Sequence, residues 1–323
     1  MSYKILDNIS GAEWNEFLID KKDVRLFHSS VFYNIYTSVK LLSPLFIAVV
    51  DVKDKIVGIA LGEISNELFD GYGLTRHTTF YAEPLYNGDL EVLKLILETI
   101  KKKSKGLCIE IRPLRLFNDD EKKIYQSQGF HFNEHLNSLL PLTSEEEVWN
   151  NLSKDKQDRI SKNQNNIIIK EKNDIEGVEI FYSLLKNLFI RKRHFIKSKD
   201  FFIKLLEYPN FHYLIAYEND IPVATQLYYI YNKTITAYYT ATDQKYLSKH
   251  PGDILIWHLI QTGLKEKCIL FDFGGGGDPN KYNGIREYKK RFGTQFENVG
   301  RYTYNRSIVF PALKNLYSLI LKQ

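Results

Sequence analysis

The chain has little cysteine and no long apolar run, and each scarcity excludes a class of protein. Its 323 residues include two cysteines, Cys108 and Cys268, which form neither a CxxC pair nor a His/Cys cluster. The sequence therefore predicts no disulfide framework and no structural zinc site. No apolar run approaches the roughly 18 residues that span a bilayer, and MSYKILDNIS lacks the basic start and apolar core of a signal peptide. We expect no transmembrane segment and a location in the cytoplasm or, peripherally, at the inner face of the membrane.

Four well-known catalytic or nucleotide-binding motifs are also missing. The sequence contains no GxxxxGK[ST] loop, no GxGxxG fingerprint, no HExxH pair and no GxSxG elbow. Nucleotide hydrolysis, dinucleotide binding, zinc-protease chemistry and serine-hydrolase chemistry are therefore not predicted. His131 and His135 stand in HFNEH, where the alternating pattern indicates a strand and not a metal pair. We expect no metal site.

The charge balance is mildly basic. Lys and Arg outnumber Asp and Glu by 44 to 39, a formal net charge of +5. This excess is compatible with phosphorylated partners, but it is not concentrated in the basic stripe that DNA recognition needs. At 44% hydrophobic residues, the chain can bury substantial cores, and its length is typical of about two domains.

The two halves of the chain resemble each other. LFIAVVDVKDKIVGIALGEI, from Leu45, and YLIAYENDIPVATQLYYI, from Tyr213, each have the alternation and polar turn of a β-hairpin. LKLILETIKKKSKGLCIEIRPL, ending at Leu114, and LIWHLIQTGLKEKCILFDFGG, ending at Gly275, each predict a helix, a cysteine and a short strand. Two matching pairs in the same order predict a duplicated α/β unit.

The second copy predicts its elements in detail. We expect strands near 212–217, 222–231 and 234–242, a helix from about 253 to 265, and a strand at 268–273. Ser144 and Glu147 form a capping box for a helix that begins the second half and carries Val148, Trp149, Leu152 and Ile160. We therefore predict domains at 1–143 and 144–323, and a last helix in PALKNLYSLILKQ.

One segment, FDFGGGGDPNKYNGIREYKKRFG at 271–293, is unlike anything in the first copy. Its strand carries Asp272, which needs a partner because an unpaired buried carboxylate is costly. Four consecutive glycines follow, and glycine is favoured where positive φ or close backbone approach is required. The segment is typical of a binding site, although a flexible surface turn would also explain the glycines.

Four segments together resemble the Fem aminoacyltransferases and the FemAB-like acetyltransferases related to them. They are LFHSSVFYNIY, IEIRPL at 109–114, DRISKNQNNIIIKE and the glycine segment, whose end is similar to the family's "Phe or Tyr, Lys, two residues, Phe, Gly" motif. The resemblance covers nearly the whole chain. It implies an α/β (α+β) fold of two tandem GNAT-like domains, each with a mixed, mainly antiparallel sheet flanked by helices. It also implies transfer of an acyl or aminoacyl group to an amine.

The resemblance assigns roles in the second domain. Lys289 matches the motif lysine, whose ammonium could stabilise a tetrahedral intermediate or a substrate phosphate. Asp272 could orient the amine or accept its proton. Gly274 and Gly275 would admit substrate, with Tyr282 as a further binding residue.

Two basic groups and one loop suit phosphate. Arg159 and Lys162 share a helix face, while Arg191 and Arg193 end another helix, and arginine pairs well with phosphoryl oxygens. Solvated surface charge is the alternative for both groups. Acyl-CoA enzymes of the GNAT class bind pyrophosphate on a [RQ]xxGx[GA] loop at a helix start. The corresponding loop here, KHPGDI, keeps Lys249 and Gly252 but has Ile254 where a small residue is usual.

The leading hypothesis is an acyl- or aminoacyltransferase that acts on an amine of a sugar-nucleotide or cell-envelope precursor, small or lipid-linked. The donor would be charged tRNA or acyl-CoA, and no tightly bound cofactor is expected. One alternative is an acetyl-CoA-dependent N-acetyltransferase of an amino sugar. The other is a non-catalytic binding or scaffold protein of envelope polysaccharide assembly.

Overall fold

The computed structural model describes residues 3–19, 21, 24–66 and 76–306. Within them the chain forms two compact units: one contains the chain up to His135 and from Asn298 onward, and the other runs from Leu136 to Glu297. This division differs from the boundary predicted after residue 143. One strand of the predicted first half pairs in the second unit, and the last strand pairs in the first. The helix predicted in PALKNLYSLILKQ lies outside the described residues.

The described elements are numbered along the chain. The strands are β1 (Lys4–Leu6), β2 (Leu42–Val50), β3 (Ile56–Asn66), β4 (Arg76–Phe80), β5 (Leu85–Tyr86), β6 (Cys108–Ile111), β7 (His131–Asn133), β8 (Leu136–Pro141), β9 (Ile168–Glu171), β10 (Phe211–Glu218), β11 (Ile221–Tyr231), β12 (Thr234–Thr242), β13 (Leu270–Gly277), β14 (Gln295–Asn298) and β15 (Arg301–Asn305). The helices are α1 (Gly11–Ile19), α2 (Ser30–Ser38), α3 (Leu90–Lys103), α4 (Asp119–Ser127), α5 (Glu145–Asn151), α6 (Lys154–Asn163), α7 (Ile175–Lys192), α8 (Lys199–Leu205), α9 (Pro251–Lys265) and α10 (Gly284–Lys290).

The first unit is built on a mainly antiparallel sheet in the order β1-β2-β3-β4-β6-β15-β7, with β5 beside β3. The strands β4 and β6 run parallel, and α3 lies between them in the chain. Asp89 caps α3 by accepting a hydrogen bond from the Glu91 N–H, and Val92, Ile96 and Ile100 lie one or two turns apart on its buried face. This helix therefore forms the centre of the first core.

The second unit has a sheet in the order β14-β8-β13-β12-β11-β10-β9. Leu214 of β10 lies in the core cluster that contains α9, whereas the ring of its neighbour Tyr213 contacts Phe181 of α7 at 5.1 Å. Because successive strand residues point to opposite faces, α9 and α7 cover opposite faces of this sheet. The sheet is thus buried on both sides.

The predicted duplication is present in the topology. Each unit contains an antiparallel meander, then a helix, then a strand parallel to the third strand of the meander: β2-β3-β4, α3 and β6 in one, β10-β11-β12, α9 and β13 in the other. The fold class is confirmed: two tandem α/β units, each with a mixed, mainly antiparallel sheet flanked by helices.

Two local predictions were wrong. The helix predicted to carry both Val148 and Ile160 is two helices, α5 and α6, because the chain turns at Leu152 and Ser153 caps the second helix. The four glycines do not follow the strand but lie in it. Gly275 pairs with Asn137 and Gly277 with Leu136 of β8, across two register shifts.

Candidate active site

Two parallel strands diverge at the centre of the second sheet. Thr234, Ile235 and Thr236 of β12 pair with Leu270, Phe271 and Asp272 of β13, and no later pair joins these strands in the described chain. The strand β13 instead continues along β8. The two strands therefore separate after Thr236 and Asp272.

The glycine run has the backbone geometry that this divergence requires. Gly274 and Gly277 have φ angles of 72° and 77°, in the left-handed region that favours glycine. A Cβ atom on Gly274 would meet no atom within 4 Å, whereas a Cβ on Gly277 would lie 2.3 Å from Asn283 Nδ2. Gly274 therefore faces open space, while Gly277 is tightly packed against the residue that caps α10.

Lys289 of α10 holds the backbone of the glycine run in place. Its Nζ donates hydrogen bonds to Phe273 O at 2.5 Å and Gly275 O at 2.7 Å. An ammonium group has three N–H donors, and the described residues provide no partner for the third. Burial lowers the pKa of Lys289 from 10.5 to about 8, with the charge of Asp272 opposing this effect. Lys289 thus combines a structural role with one unused donor.

Asp272 lies at the point where the two strands diverge. It is buried, and its Oδ1 accepts a hydrogen bond from the Gly274 N–H at 2.7 Å. The side chain therefore caps the first glycine of the run from within the strand. Its negative charge also stabilises the protonated form of Lys289.

The KHPGDI loop leads into the start of α9. His250 has a left-handed backbone, with φ at 53°, and Pro251 is the first residue of the helix. A Cβ on Gly252 would lie 3.4 Å from Thr242 Oγ1 and 3.8 Å from the Tyr288 hydroxyl. Ile254 is buried in the core cluster, so its bulk does not reach the loop. The unusual size of Ile254 is thus no obstacle at the helix start.

A basic cavity of about 500 Å³ lies between α6 and this loop. Its lining includes Arg159 and Lys162 from the helix and Lys249 and His250 from the loop, and the three cations are ones that the sequence singled out. The remaining lining residues are Asp155, Asp158, Asn163, Asn166 and Ser248. Burial, and next the charge of Arg159, lower the pKa of His250. Such a cavity suits a phosphoryl group, since cations and polar amides can both donate to it.

Arg159 is held in place at the cavity wall. Its Nε lies 2.8 Å from Asp155 Oδ1, and its Nη1 lies 3.9 Å from Asp253 Oδ2. Lys249, which is half exposed, is 3.2 Å from Glu218 Oε1. The arginine is therefore oriented from two sides, whereas the lysine has freedom to move toward a ligand.

Sequence reasoning missed a buried ion pair behind the cavity. Lys156 Nζ lies 2.5 Å from Asp253 Oδ1, and both side chains are almost inaccessible, at 0% and 4% exposed. The ammonium also lies 3.9 Å from the centre of the Tyr288 ring. One signal was available: Lys156 stands four residues before the buried Ile160, on the apolar face of α6.

Other sequence-predicted residues lie elsewhere. Arg191 and Arg193 are exposed at the end of α7 and do not line the cavity. Tyr282 is 88% exposed in the loop before α10. Gly275 is exposed on β13. The structure therefore groups Arg159, Lys162 and Lys249, and separately groups Lys289, Asp272 and the glycines.

The described part of the chain has neither a membrane-spanning helix nor a metal-binding cluster. No helix there is long and apolar enough to cross a membrane. No cluster of three or more His, Cys, Asp or Glu side chains there is placed to hold a metal ion.

Residues 168–290, which include the splayed strands, the KHPGDI loop and Lys289, match the family of acetyltransferase (GNAT) domains. This match lies wholly within the second unit. No curated protein matches the chain in sequence.

Solved structures share the fold over both units. A crystal structure of FemX has a TM-score of 0.72 at 14% identity, over 99% of this chain and 100% of that one. The C-terminal domain of a protein described as a lysylphosphatidylglycerol synthetase, from Agrobacterium fabrum, has a TM-score of 0.61 at 10% identity, over 96% of both chains. A tandem GNAT protein from the clavulanic acid biosynthesis pathway has a TM-score of 0.59 at 10% identity, over 95% and 99%. At these identities the likeness shows the fold, and it confirms the suspected FemAB-like, tandem GNAT architecture.

Proposed function

We propose that the chain is an acyl- or aminoacyltransferase that transfers an acyl group from a phosphate-bearing donor to an amine of a sugar-nucleotide or cell-envelope precursor. The observation that carries this proposal is the basic cavity formed by Arg159, Lys162 and Lys249 at the start of α9. It lies in the same unit as the diverging strands β12 and β13 and the buried Lys289. Charged tRNA and acyl-CoA are both phosphate-bearing donors, and both are made in the cytoplasm, where we propose that the protein acts.

The proposed chemistry uses the third N–H of Lys289. The acceptor nitrogen attacks the carbonyl carbon, the C–N bond forms, and negative charge develops on the carbonyl oxygen. An ammonium donor in a site with little water stabilises that oxyanion. The C–O bond to tRNA or the C–S bond to CoA then breaks, the amine loses one proton and the leaving group gains one. In this proposal the charge of Asp272 favours the protonated form of Lys289, and the carboxylate orients the amine.

The nature of the acceptor is suggested by the names of the similar structures. A lysylphosphatidylglycerol synthetase joins, by its name, an amino acid to a membrane phospholipid. FemX and that domain match this chain over almost its full length. An envelope precursor is therefore the acceptor class that we propose first.

The acetyl-CoA alternative requires particular free groups at the start of α9. A pyrophosphate bound in the GNAT manner needs free backbone N–H groups at the helix start. Here Pro251 has no N–H, and the Asp253 N–H donates to His250 O at 3.0 Å. The buried Asp253 carboxylate already brings negative charge to this helix end. These features favour a donor held by side chains of the cavity over one held by the helix backbone.

The experiment is calorimetric titration with inorganic pyrophosphate, acetyl-CoA and charged tRNA, combined with transfer assays on UDP-linked precursors. We expect Arg159→Ala and Lys162→Ala each to weaken pyrophosphate binding about tenfold, because each removes a charge-assisted contact. Lys154→Ala is the matched control, since Lys154 is a cation of the same helix that is 81% exposed and outside the cavity.

Three outcomes separate the hypotheses. Tight binding of acetyl-CoA that Gly252→Ala weakens would favour the CoA-dependent enzyme, because the added methyl group lies at the helix start. Equal pyrophosphate binding by Arg159→Ala and wild type would contradict the proposed cavity. Binding without transfer to any amine would leave the scaffold protein as the better account.

A further inference from the structure

A buried lysine joins the three elements of the second unit that carry the candidate residues. Lys156 belongs to α6, its partner Asp253 to α9, and the ring beneath its ammonium, Tyr288, to α10. A second ring, that of Phe292, lies 4.8 Å from the same ammonium. The lysine is fully buried at the edge of an apolar cluster.

Stability alone is a poor reason for such an arrangement. Taking an ammonium and a carboxylate out of water is costly, and apolar side chains of similar volume commonly stabilise a fold as well as a buried ion pair does. Burial also lowers the pKa of Lys156, although Asp253 opposes this. A buried pair does, however, impose a fixed distance and direction that apolar contacts lack.

Two of the contacts of Lys156, those with Asp253 and Tyr288, lie beside candidate residues. One helical turn along α6 stands Arg159, which also approaches the Asp253 carboxylate, at 3.9 Å. Asp253 directly follows Gly252, and Tyr288 directly precedes Lys289. The cavity wall, the start of α9 and the helix of Lys289 thus all adjoin a single ammonium group.

We propose that Lys156 is a positioning residue, which fixes Arg159 and the start of α9 in the arrangement that binds phosphate. The proposal rests on the proposed function for its phosphate cavity, but the placement of Arg159 is a property of the protein without ligand. Lys156 touches no substrate in this account.

The test uses Lys156→Met combined with Asp253→Asn, because these side chains approximate the shapes of the originals, leave no unpaired buried charge and keep a polar side chain beside Arg159. The single variant Lys156→Met would leave the Asp253 carboxylate buried and unpaired, so it gives no information about the position of Arg159. Lys156→Arg is the conservative variant and Lys154→Met the control. Melting temperature, Kd for inorganic pyrophosphate, and the NMR signal of the Arg159 Nε–Hε group in the ligand-free protein are measured.

We expect the double variant to melt within about 4 °C of wild type, with pyrophosphate bound about tenfold more weakly. The Arg159 Nε–Hε signal should broaden or exchange faster, while Lys156→Arg keeps the signal and Lys154→Met changes nothing. An unchanged Arg159 signal overturns the proposal whatever the binding result, and so does a much larger loss of melting temperature, which would make the pair a stabilising element. If wild type itself fails to bind pyrophosphate, the proposed cavity is wrong, and the Arg159 signal still decides the role of Lys156.

Discussion

At the scale of single residues, Lys289 is the side chain on which most of the account depends. Two backbone carbonyls of the glycine run occupy two of its donors, and burial brings its pKa to about 8. The third N–H of the ammonium has no partner among the described residues. The same ammonium can therefore brace β13 and serve a developing oxyanion.

The first prediction concerns the pH dependence of transfer. If the charged form of Lys289 is needed, kcat/KM should fall as the pH rises through about 8, where the ammonium loses its proton. In Lys289→Arg the guanidinium stays charged, so the remaining activity should lack this decline. A wild-type profile that stays flat to pH 10 would contradict the role.

The second prediction concerns stability. The unfolded chain holds the Lys289 proton with the ordinary pKa of 10.5, whereas the native state holds it with a pKa of about 8. The unfolded state therefore binds more protons between these values, and the free energy of unfolding should rise with pH across that window. Relative to Lys289→Met, wild type should gain up to about 3 kcal/mol between pH 7.5 and 10.5. Urea denaturation at several pH values measures this, and a constant difference between the two proteins would refute it.

The third prediction separates the two effects of Asp272. In Asp272→Asn the amide oxygen can still accept from the Gly274 N–H, so the glycine run should keep its cap. The charge that favours protonated Lys289 is lost, and the pKa of Lys289 should fall further. The decline of kcat/KM should move to lower pH. An unshifted decline would mean that another group titrates there.

At the scale of elements, the glycine run shows how tightly a strand can be built around small residues. Gly274 and Gly277 have the same left-handed backbone, but only Gly277 packs against Asn283, whose side chain caps α10 by accepting from the Ile285 and Arg286 N–H groups. Substitutions at these two glycines therefore distinguish the cost of a left-handed backbone from the cost of steric crowding.

The fourth prediction compares alanine at these two positions. Gly274→Ala should lower the free energy of unfolding by about 1 kcal/mol, because alanine is strained in a left-handed backbone even where the space around it is free. Gly277→Ala should cost about 2 kcal/mol or more, because it also displaces the Asn283 cap. Chemical denaturation of both variants measures the difference. Equal losses would show that Asn283 moves aside without effect on α10.

The elements were largely predictable, and the reasons are local. Alternation and polar turns indicated β10 and β11, helical periodicity indicated α9, and the matching order in the first half indicated the duplication. The glycines were wrongly predicted to follow the strand, because they have no side chains whose pattern would indicate that β13 continues along β8. The Lys156–Asp253 pair joins residues that are 97 positions apart, so the sequence could indicate that Lys156 is buried but not which residue pairs with it.

At the scale of the molecule, the chain does not divide at one point. The strand β8 lies between β13 and β14 in the second sheet, and β15 lies between β6 and β7 in the first. The second unit is continuous in sequence, whereas the first is completed by a late segment. This connectivity could not be inferred from the hydrophobic pattern, which is the same whichever sheet a strand joins.

The fifth prediction follows from this connectivity. A fragment of residues 136–297 should fold alone, with a cooperative thermal transition and dispersed NMR signals, since it contains a complete sheet and core. A fragment of residues 144–297 lacks β8 and should be markedly less stable, because β13 and β14 would each lose a neighbouring strand. Equal stability of the two fragments would contradict the division.

The central claim is most directly tested by one transfer assay. Labelled acyl groups are offered on charged tRNA and on CoA to UDP-linked amine acceptors, with wild type, Lys289→Ala and the Lys154→Ala control at pH 7. The account predicts transfer by wild type and by the control, and a loss of about a hundredfold or more in kcat for Lys289→Ala, the usual effect of removing an oxyanion donor. Transfer by Lys289→Ala at the wild-type rate would contradict it.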